Sequence, residues 1–166
     1  MTIDSALTAL GQMPLSVHIA EDPVLFPWIE LIHVLAITNV FGTILLVDLR
    51  LLGLAGRDYP VSSLSRALVP VTWIAFVIAA ITGSLLFISN PITYFGNFYF
   101  RLKMLLMIAA GINMAIFHIW TMRGMRKWDT TPHAPFAVRA AGLISILIWL
   151  TVIMCGRWIG FTMAPF

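Results

Sequence analysis

The sequence predicts an all-α integral membrane protein, an up-down four-helix transmembrane bundle with a short N-terminal interfacial helix. Of its 166 residues, 60% are hydrophobic and only 10% are charged, whereas soluble domains carry roughly 25% charged residues. Four apolar stretches each approach the roughly 20 residues that a helix needs to cross the hydrocarbon core. Because no hydrophilic segment of domain length interrupts them, we interpret residues 1–166 as a single domain.

The elements follow in order along the chain. In the first residues, Ile3, Ala6 and Leu7 fall on one face of a predicted helix, which indicates a helix lying on the membrane surface. The spans themselves must be helical, because lipid offers no hydrogen-bond partner to free backbone groups. Short connections favour antiparallel neighbours. The predicted spans cover residues 28–47, 67–88, 102–120 and 140–158.

The basic residues predict how the bundle is oriented. Cytoplasmic connections of membrane proteins are enriched in Lys and Arg. The connections after spans one and three hold Arg50, Arg57, Arg66, Arg123, Arg126, Lys127 and Arg139. The opposite side holds only Arg101, Lys103 and Arg157. We therefore expect the first side to be cytoplasmic and both termini to lie on the opposite side, which in a bacterial inner (plasma) membrane is the periplasm. The net charge of +3 reports this topology and gives no support to nucleic-acid binding.

A polar cluster is predicted near the periplasmic surface. Glu30 and His33 are three residues apart and therefore share one helix face. Ionisable residues inside a membrane are costly and usually face the bundle interior or a watery cavity. Counting about 1.5 Å per helical residue, Lys103 and Met154 lie at a depth similar to that of His33. One interpretation is structural, with Glu30 paired to Arg101 or Lys103.

The other interpretation of this cluster is a site for one haem b near the periplasmic face. His33 is the candidate axial ligand, Glu30 orients its imidazole, and Lys103 or Met154 lies across the iron. Arg101 and Arg157 then pair with the propionates.

Two further histidines bear on a metal site. His118 lies about 20 Å from His33 along the membrane normal, which excludes one iron bound by both. His18 lies on the periplasmic side, and a transition-metal site built from His18, His33 and Glu30 is an outside possibility.

The cytoplasmic half holds fewer candidates. Asp48, Arg50 and His118 form a predicted polar patch there. Asp48 and Arg50 close span one, where a cation complements the helix dipole, and we interpret the patch as structural. Ala75, Ala79 and Gly83 recur every fourth residue in span two, which predicts close helix packing.

Two alternative functions are open. The first is copper handling, since Met104, Met107 and Met114 follow helical spacing and thioethers suit Cu(I). The second is a cofactor-free accessory subunit that docks into a homo-oligomer or a larger membrane complex through its small-residue faces.

Several motifs resemble known families. The chain resembles a widespread, largely uncharacterised family of bacterial four-span membrane proteins in Phe26-Pro-Trp-Ile-Glu-Leu-Ile-His33, Val47-Asp-Leu-Arg-Leu-Leu-Gly53 and Phe100-Arg-Leu-Lys103. It distantly resembles copper-resistance D membrane domains in Ile81-Thr-Gly83, Tyr94-Phe-Gly96, Arg101-Leu-Lys103 and Asn113. That second resemblance implies no ligand here.

A histidine in span one and a lysine opening span three resemble HemJ-type protoporphyrinogen oxidases, which are haem-b-associated four-helix proteins. This resemblance implies that His33 and Lys103 contact haem or a porphyrin. We therefore expect electron transfer with a membrane quinone or a periplasmic redox partner, or porphyrin redox chemistry. Whether the protein is an enzyme stays open.

Overall fold

The computed structural model describes residues 2–117, 119, 129 and 134–163. These residues form seven helices and confirm the predicted fold class. Four of the helices, α3, α4, α6 and α7, are long and apolar enough to cross a membrane. The predicted end of span three, residue 120, lies outside the described residues. The helices are α1 Ile3–Gly11, α2 Pro14–Glu21, α3 Leu25–Leu52, α4 Val61–Ser89, α5 Pro91–Gly96, α6 Phe98–Ile116 and α7 Phe136–Met163.

Local signals set the helix boundaries. The Asp22 carboxylate accepts the backbone N–H groups of Val24 and Leu25 at 2.8 and 2.9 Å, and so caps the start of α3. The helix ends at Gly53, whose φ of 72° lies in the left-handed region that favours glycine. The Asn97 side chain accepts backbone N–H groups at the start of α6.

The four long helices form a ring in the order α4, α3, α7, α6. α3 packs against both α4 and α7, and α6 packs against α7. α4 and α6 pack far less against each other, and we call the gap between them the α4/α6 seam. At one end the seam is covered by three rings, those of Phe87, Tyr94 and Phe100, and the first and last of these stack with centroids 5.3 Å apart.

The two ends of the bundle differ in what they carry. The His33 end is where α3 and α6 begin, where α4 and α7 end, and where the short helices α1, α2 and α5 pack together. The Asp48 end is the opposite one, where α3 ends and α4 and α7 begin.

Small residues bring the helices close together, as predicted for span two. Ala75 and Ala79 are buried, and Ala75 packs with Val40 and Trp149 in the central core. Toward the Asp48 end, Gly142 allows α7 to approach α3, since a Cβ there would lie 3.3 Å from the carbonyl oxygen of residue 48.

The outward faces of the bundle are apolar. Large side chains such as Ile74, Leu105 and Leu147 are more than half exposed. A contiguous apolar exterior of this kind is unusual for a soluble protein and suits a lipid bilayer. The chain is therefore a membrane helical bundle.

Candidate functional site

His33 faces the interior of the bundle, where it meets α4. Its Nδ1 atom lies 3.0 Å from the Thr82 hydroxyl oxygen. That hydroxyl donates its one proton to the Ile78 carbonyl oxygen at 2.7 Å, so toward His33 it acts as an acceptor. The Thr82 hydroxyl is thus an acceptor for an Nδ1–H proton, and in that tautomer of the neutral imidazole the lone pair lies on Nε2. That is the form of histidine that binds a metal.

Gly83 makes room for the His33 ring. A Cβ at position 83 would lie 2.8 Å from His33 Cε1, which is closer than real contacts allow. The imidazole therefore lies directly against the α4 backbone, and a side chain at residue 83 would displace it.

Lys103 of α6 also faces inward. Its ammonium group lies 3.7 Å from where a Cβ on Gly156 would be, and it interacts electrostatically with Cys155 and with His33. It lines a void of about 40 Å³. The structure thus brings His33 and Lys103, which lie on different helices, to the same interior region.

Glu30 does not join them. Its side chain is exposed, and its charge acts instead on the Tyr94 hydroxyl. Burial, and in addition the Glu30 charge, raises the pKa of Tyr94. In the described part of the chain, no ion pair connects Glu30 to Arg101 or Lys103.

The other predicted contacts also lie away from the interior. Met154 is 63% exposed, on the face of α7 opposite the buried Val152. Arg101 and Arg157 are exposed at the His33 end, and the Arg157 guanidinium lies 4.5 Å from the centroid of the Phe161 ring. These three residues surround the His33 end without facing His33.

The histidines and acidic residues do not converge. Among residues 2–117, 119, 129 and 134–163, no group of three or more His, Cys, Asp or Glu side chains is placed to hold a metal ion. His18 is exposed on α2, and it is not brought together with His33 and Glu30. His118 lies outside the described residues.

A cavity of about 210 Å³ lies between the four long helices toward the Asp48 end, and we call it the chamber. Asp48 lines the chamber with a side chain that is only 5% exposed. Among the described residues, its Oδ2 atom has no hydrogen-bond partner. Sequence reasoning assigned this residue to a structural patch and missed the chamber.

Arg50, which the sequence analysis grouped with Asp48, has a structural role. It is 1% exposed and donates to the carbonyl oxygens of Tyr59 at 2.8 Å and Asp129 at 3.3 Å. One signal in the sequence separates it from Asp48. Residues two apart on a helix do not face each other, so the two side chains were bound to have different neighbours.

Comparison with known proteins gives a family but no activity. The sequence model of one protein family matches residues 24–162, and its description is a family of unknown function. No curated protein and no solved structure matches the chain. The predicted membership of an uncharacterised family is thereby confirmed, and the two distant resemblances stay predictions.

Proposed function

The chain belongs to DUF6644, a family of unknown function, and from the geometry of its His33 end we propose that it binds one b-type haem. One observation carries the proposal. The His33 imidazole lies inside the bundle with Nδ1 3.0 Å from the Thr82 hydroxyl oxygen, and in its Nδ1–H form the Nε2 lone pair would be the metal-binding one. Proteins hold the histidine ligands of metals in this way, by a hydrogen bond to the other ring nitrogen.

Lys103 is the second residue that would hold the haem. It faces inward from α6 and lies close enough to His33 for its charge to act on the imidazole. A neutral amine is a nitrogen donor comparable to imidazole, and in its charged form it attracts the propionates of a porphyrin. Met154 faces away from the interior, so we assign it no part in ligation.

The nitrogen atoms of His33 and Lys103 suit haem binding, but the void between the helices is smaller than a haem. Cofactor sites occupy roughly 300–1,000 Å³, whereas the void beside Lys103 has about 40 Å³. Binding therefore requires the bundle to widen. The α4/α6 seam is where this costs least, because these two neighbouring helices share the fewest contacts.

A bound haem would supply one-electron redox chemistry. In the orientation that the basic residues predict, the His33 end faces the periplasm of a bacterial inner membrane. That location suits electron exchange with a membrane quinone or a periplasmic redox partner. It also suits redox chemistry on a porphyrin substrate, since Lys103 attracts anionic groups.

Absorption spectra of the purified protein test the proposal. After expression with added haem, we expect a Soret band in the oxidised protein and sharpened visible bands after dithionite reduction. His33→Gln should abolish these bands, while His18→Gln, a matched substitution at an exposed histidine, should keep them. A wild-type protein without a Soret band, or a His33→Gln spectrum identical to wild type, contradicts the proposal.

Copper handling is the second candidate, and one observation favours it. Met107 lines both the chamber and the void beside Lys103, so a soft thioether donor lies on the interior of the bundle. Cu(I) titration tests this candidate. We expect the protein to bind Cu(I), and the double variant Met104→Leu, Met107→Leu to lose this affinity.

The accessory-subunit function predicts a different result. Purified protein would then contain neither haem nor copper and would carry partner proteins in stoichiometric amounts.

A further inference from the structure

The chamber is a candidate binding site in its own right, apart from the His33 end. Its volume is about 210 Å³. An apolar cavity of about 150 Å³ is large enough to bind benzene. The chamber therefore has room for one aromatic ring that carries a short substituent.

Asp48 gives the chamber its chemical character. Its side chain is almost fully buried, and no residue in the described part of the chain hydrogen-bonds the Oδ2 atom. Buried polar atoms in native proteins are nearly always paired. The polar side chain next to the carboxyl group is that of Ser145, which is uncharged. Ser145 hydrogen-bonds the carboxyl group, and no described residue donates to Oδ2, so this atom can accept a hydrogen bond from a ligand.

The nearest described cationic side chains do not pair with Asp48. Arg50 donates to two backbone carbonyl groups at the end of the bundle. Lys103 lines the separate, smaller void nearer the His33 end. Among the described residues, no cationic side chain acts on the Asp48 carboxyl group.

The walls of the chamber complement a cation. They include the aromatic rings of Trp73, Phe76 and Trp149, and the faces of such rings attract positive charge. Trp73 of α4 and Gly111 of α6 line the chamber and are also exposed on the outside of the bundle. The chamber therefore opens toward lipid through the α4/α6 seam.

We propose that the chamber binds a small lipophilic organic cation of the aromatic amine type. Its ammonium group pairs with the Asp48 carboxylate, and its ring lies against the tryptophans. This site goes beyond the proposed haem function and does not depend on it. A haem carries anionic propionates that Asp48 repels, so the two ligands are chemically distinct.

Calorimetric titration of the full chain in lipid nanodiscs tests this inference, with empty nanodiscs subtracted. The probes are phenethylamine, which is protonated at pH 7, and 2-phenylethanol, a neutral hydroxyl compound of nearly the same shape. We expect the amine to bind more tightly than the alcohol. Asp48→Asn keeps the shape of the side chain and should weaken amine binding by roughly 30-fold, with little effect on the alcohol.

A second pair of variants tests the location. Gly111 lines the chamber, and a Cβ there would meet no atom within 4 Å. Gly111→Leu should therefore fold normally and weaken both probes by occupying the space. Gly160 is equally open but lies at the far end of α7, so Gly160→Leu is the matched control and should change neither affinity.

Three results overturn the inference: equal affinity for the two probes, which identifies a hydroxyl-binding site; unchanged amine affinity in Asp48→Asn; or no binding of either probe. The haem spectrum of Asp48→Asn is expected to equal that of wild type. Failure here is thereby distinguishable from failure of the haem proposal.

Discussion

At the residue scale, the surroundings of His33 explain how an ionisable side chain is held inside an apolar bundle. Its inward orientation followed from the cost of exposing such a group to lipid. The identity of the residues that contact His33 did not follow from that cost. Thr82 and Gly83 depend on the register between α3 and α4, which no local pattern of residues encodes. Sequence reasoning therefore gave the orienting role to Glu30 and did not single out Thr82.

The Thr82 hydroxyl is expected to control metal binding through the imidazole. Thr82→Val keeps the shape but removes the acceptor for the Nδ1 proton, so haem affinity should fall about 10- to 100-fold. Thr82→Ser retains the hydroxyl and should bind nearly as wild type. Haem titration followed at the Soret band measures both. Equal affinities for the two variants would contradict the role given to this hydrogen bond.

Gly83 is expected to tolerate no side chain. In Gly83→Ala the new methyl group would lie 2.8 Å from His33 Cε1, so the ring must move and the protein should unfold at a lower temperature. Gly42→Ala is the matched control, because a Cβ there meets nothing within 4 Å. It should gain roughly 0.5–1 kcal/mol from higher helix propensity. Thermal unfolding in detergent distinguishes them, and a stabilised Gly83→Ala would be inconsistent with the structure.

At the element scale, hydropathy located every span but underestimated the lengths of spans one, two and four. The prediction for span one covered residues 28–47, whereas α3 runs from Leu25 to Leu52. Hydropathy detects the apolar centre of a helix, while its ends are set by caps, here the Asp22 carboxylate and the left-handed Gly53. Arg50 extends α3 further, since it is polar in sequence yet buried in the structure.

Arg50 is expected to stabilise the Asp48 end of the bundle. Arg50→Met removes the donors to two backbone carbonyl groups and should lower the free energy of unfolding by about 1–3 kcal/mol. Arg50→Lys should recover only part of this, because an ammonium group cannot reproduce the planar fork of the guanidinium. Chemical unfolding in detergent measures the loss. Arg57→Met, at an exposed position, is the control that should show a smaller effect.

The Asp22 cap predicts a dependence on pH. The backbone N–H groups of Leu25 and Val24 hold the pKa of this carboxyl below its usual value of 3.8. A lowered pKa means that the carboxylate stabilises the folded state above the unfolded pKa. This contribution is lost as the pH falls through the folded pKa. The unfolding temperature of the wild type should fall between pH 7 and pH 3, and this fall should be smaller in Asp22→Asn. The control is Asp58→Asn, a change in the connection between α3 and α4, which should show the same fall as the wild type.

At the scale of the whole molecule, the bundle carries groups of opposite charge at two depths. Lys103 lies with His33 toward one end, and Asp48 lies toward the other, with the apolar core between them. The sequence predicted that polar groups would separate in this way by depth. It did not predict the chamber or the α4/α6 seam, because cavities arise from how whole helix surfaces pack together, and each helix looks similar in hydropathy.

The shared location of His33 and Lys103 is the central claim, and low-temperature electron paramagnetic resonance of the ferric protein tests it most directly. If the proposed haem is bound, we expect a low-spin signal in wild type that becomes high-spin in Lys103→Ala, because the iron would then lose one of its two proposed ligands. Met154→Ala, at an outward-facing position, should leave the signal low-spin. The claim is contradicted if Lys103→Ala leaves the spectrum unchanged and Met154→Ala converts the signal to high spin. The second ligand would then come from elsewhere in the bundle.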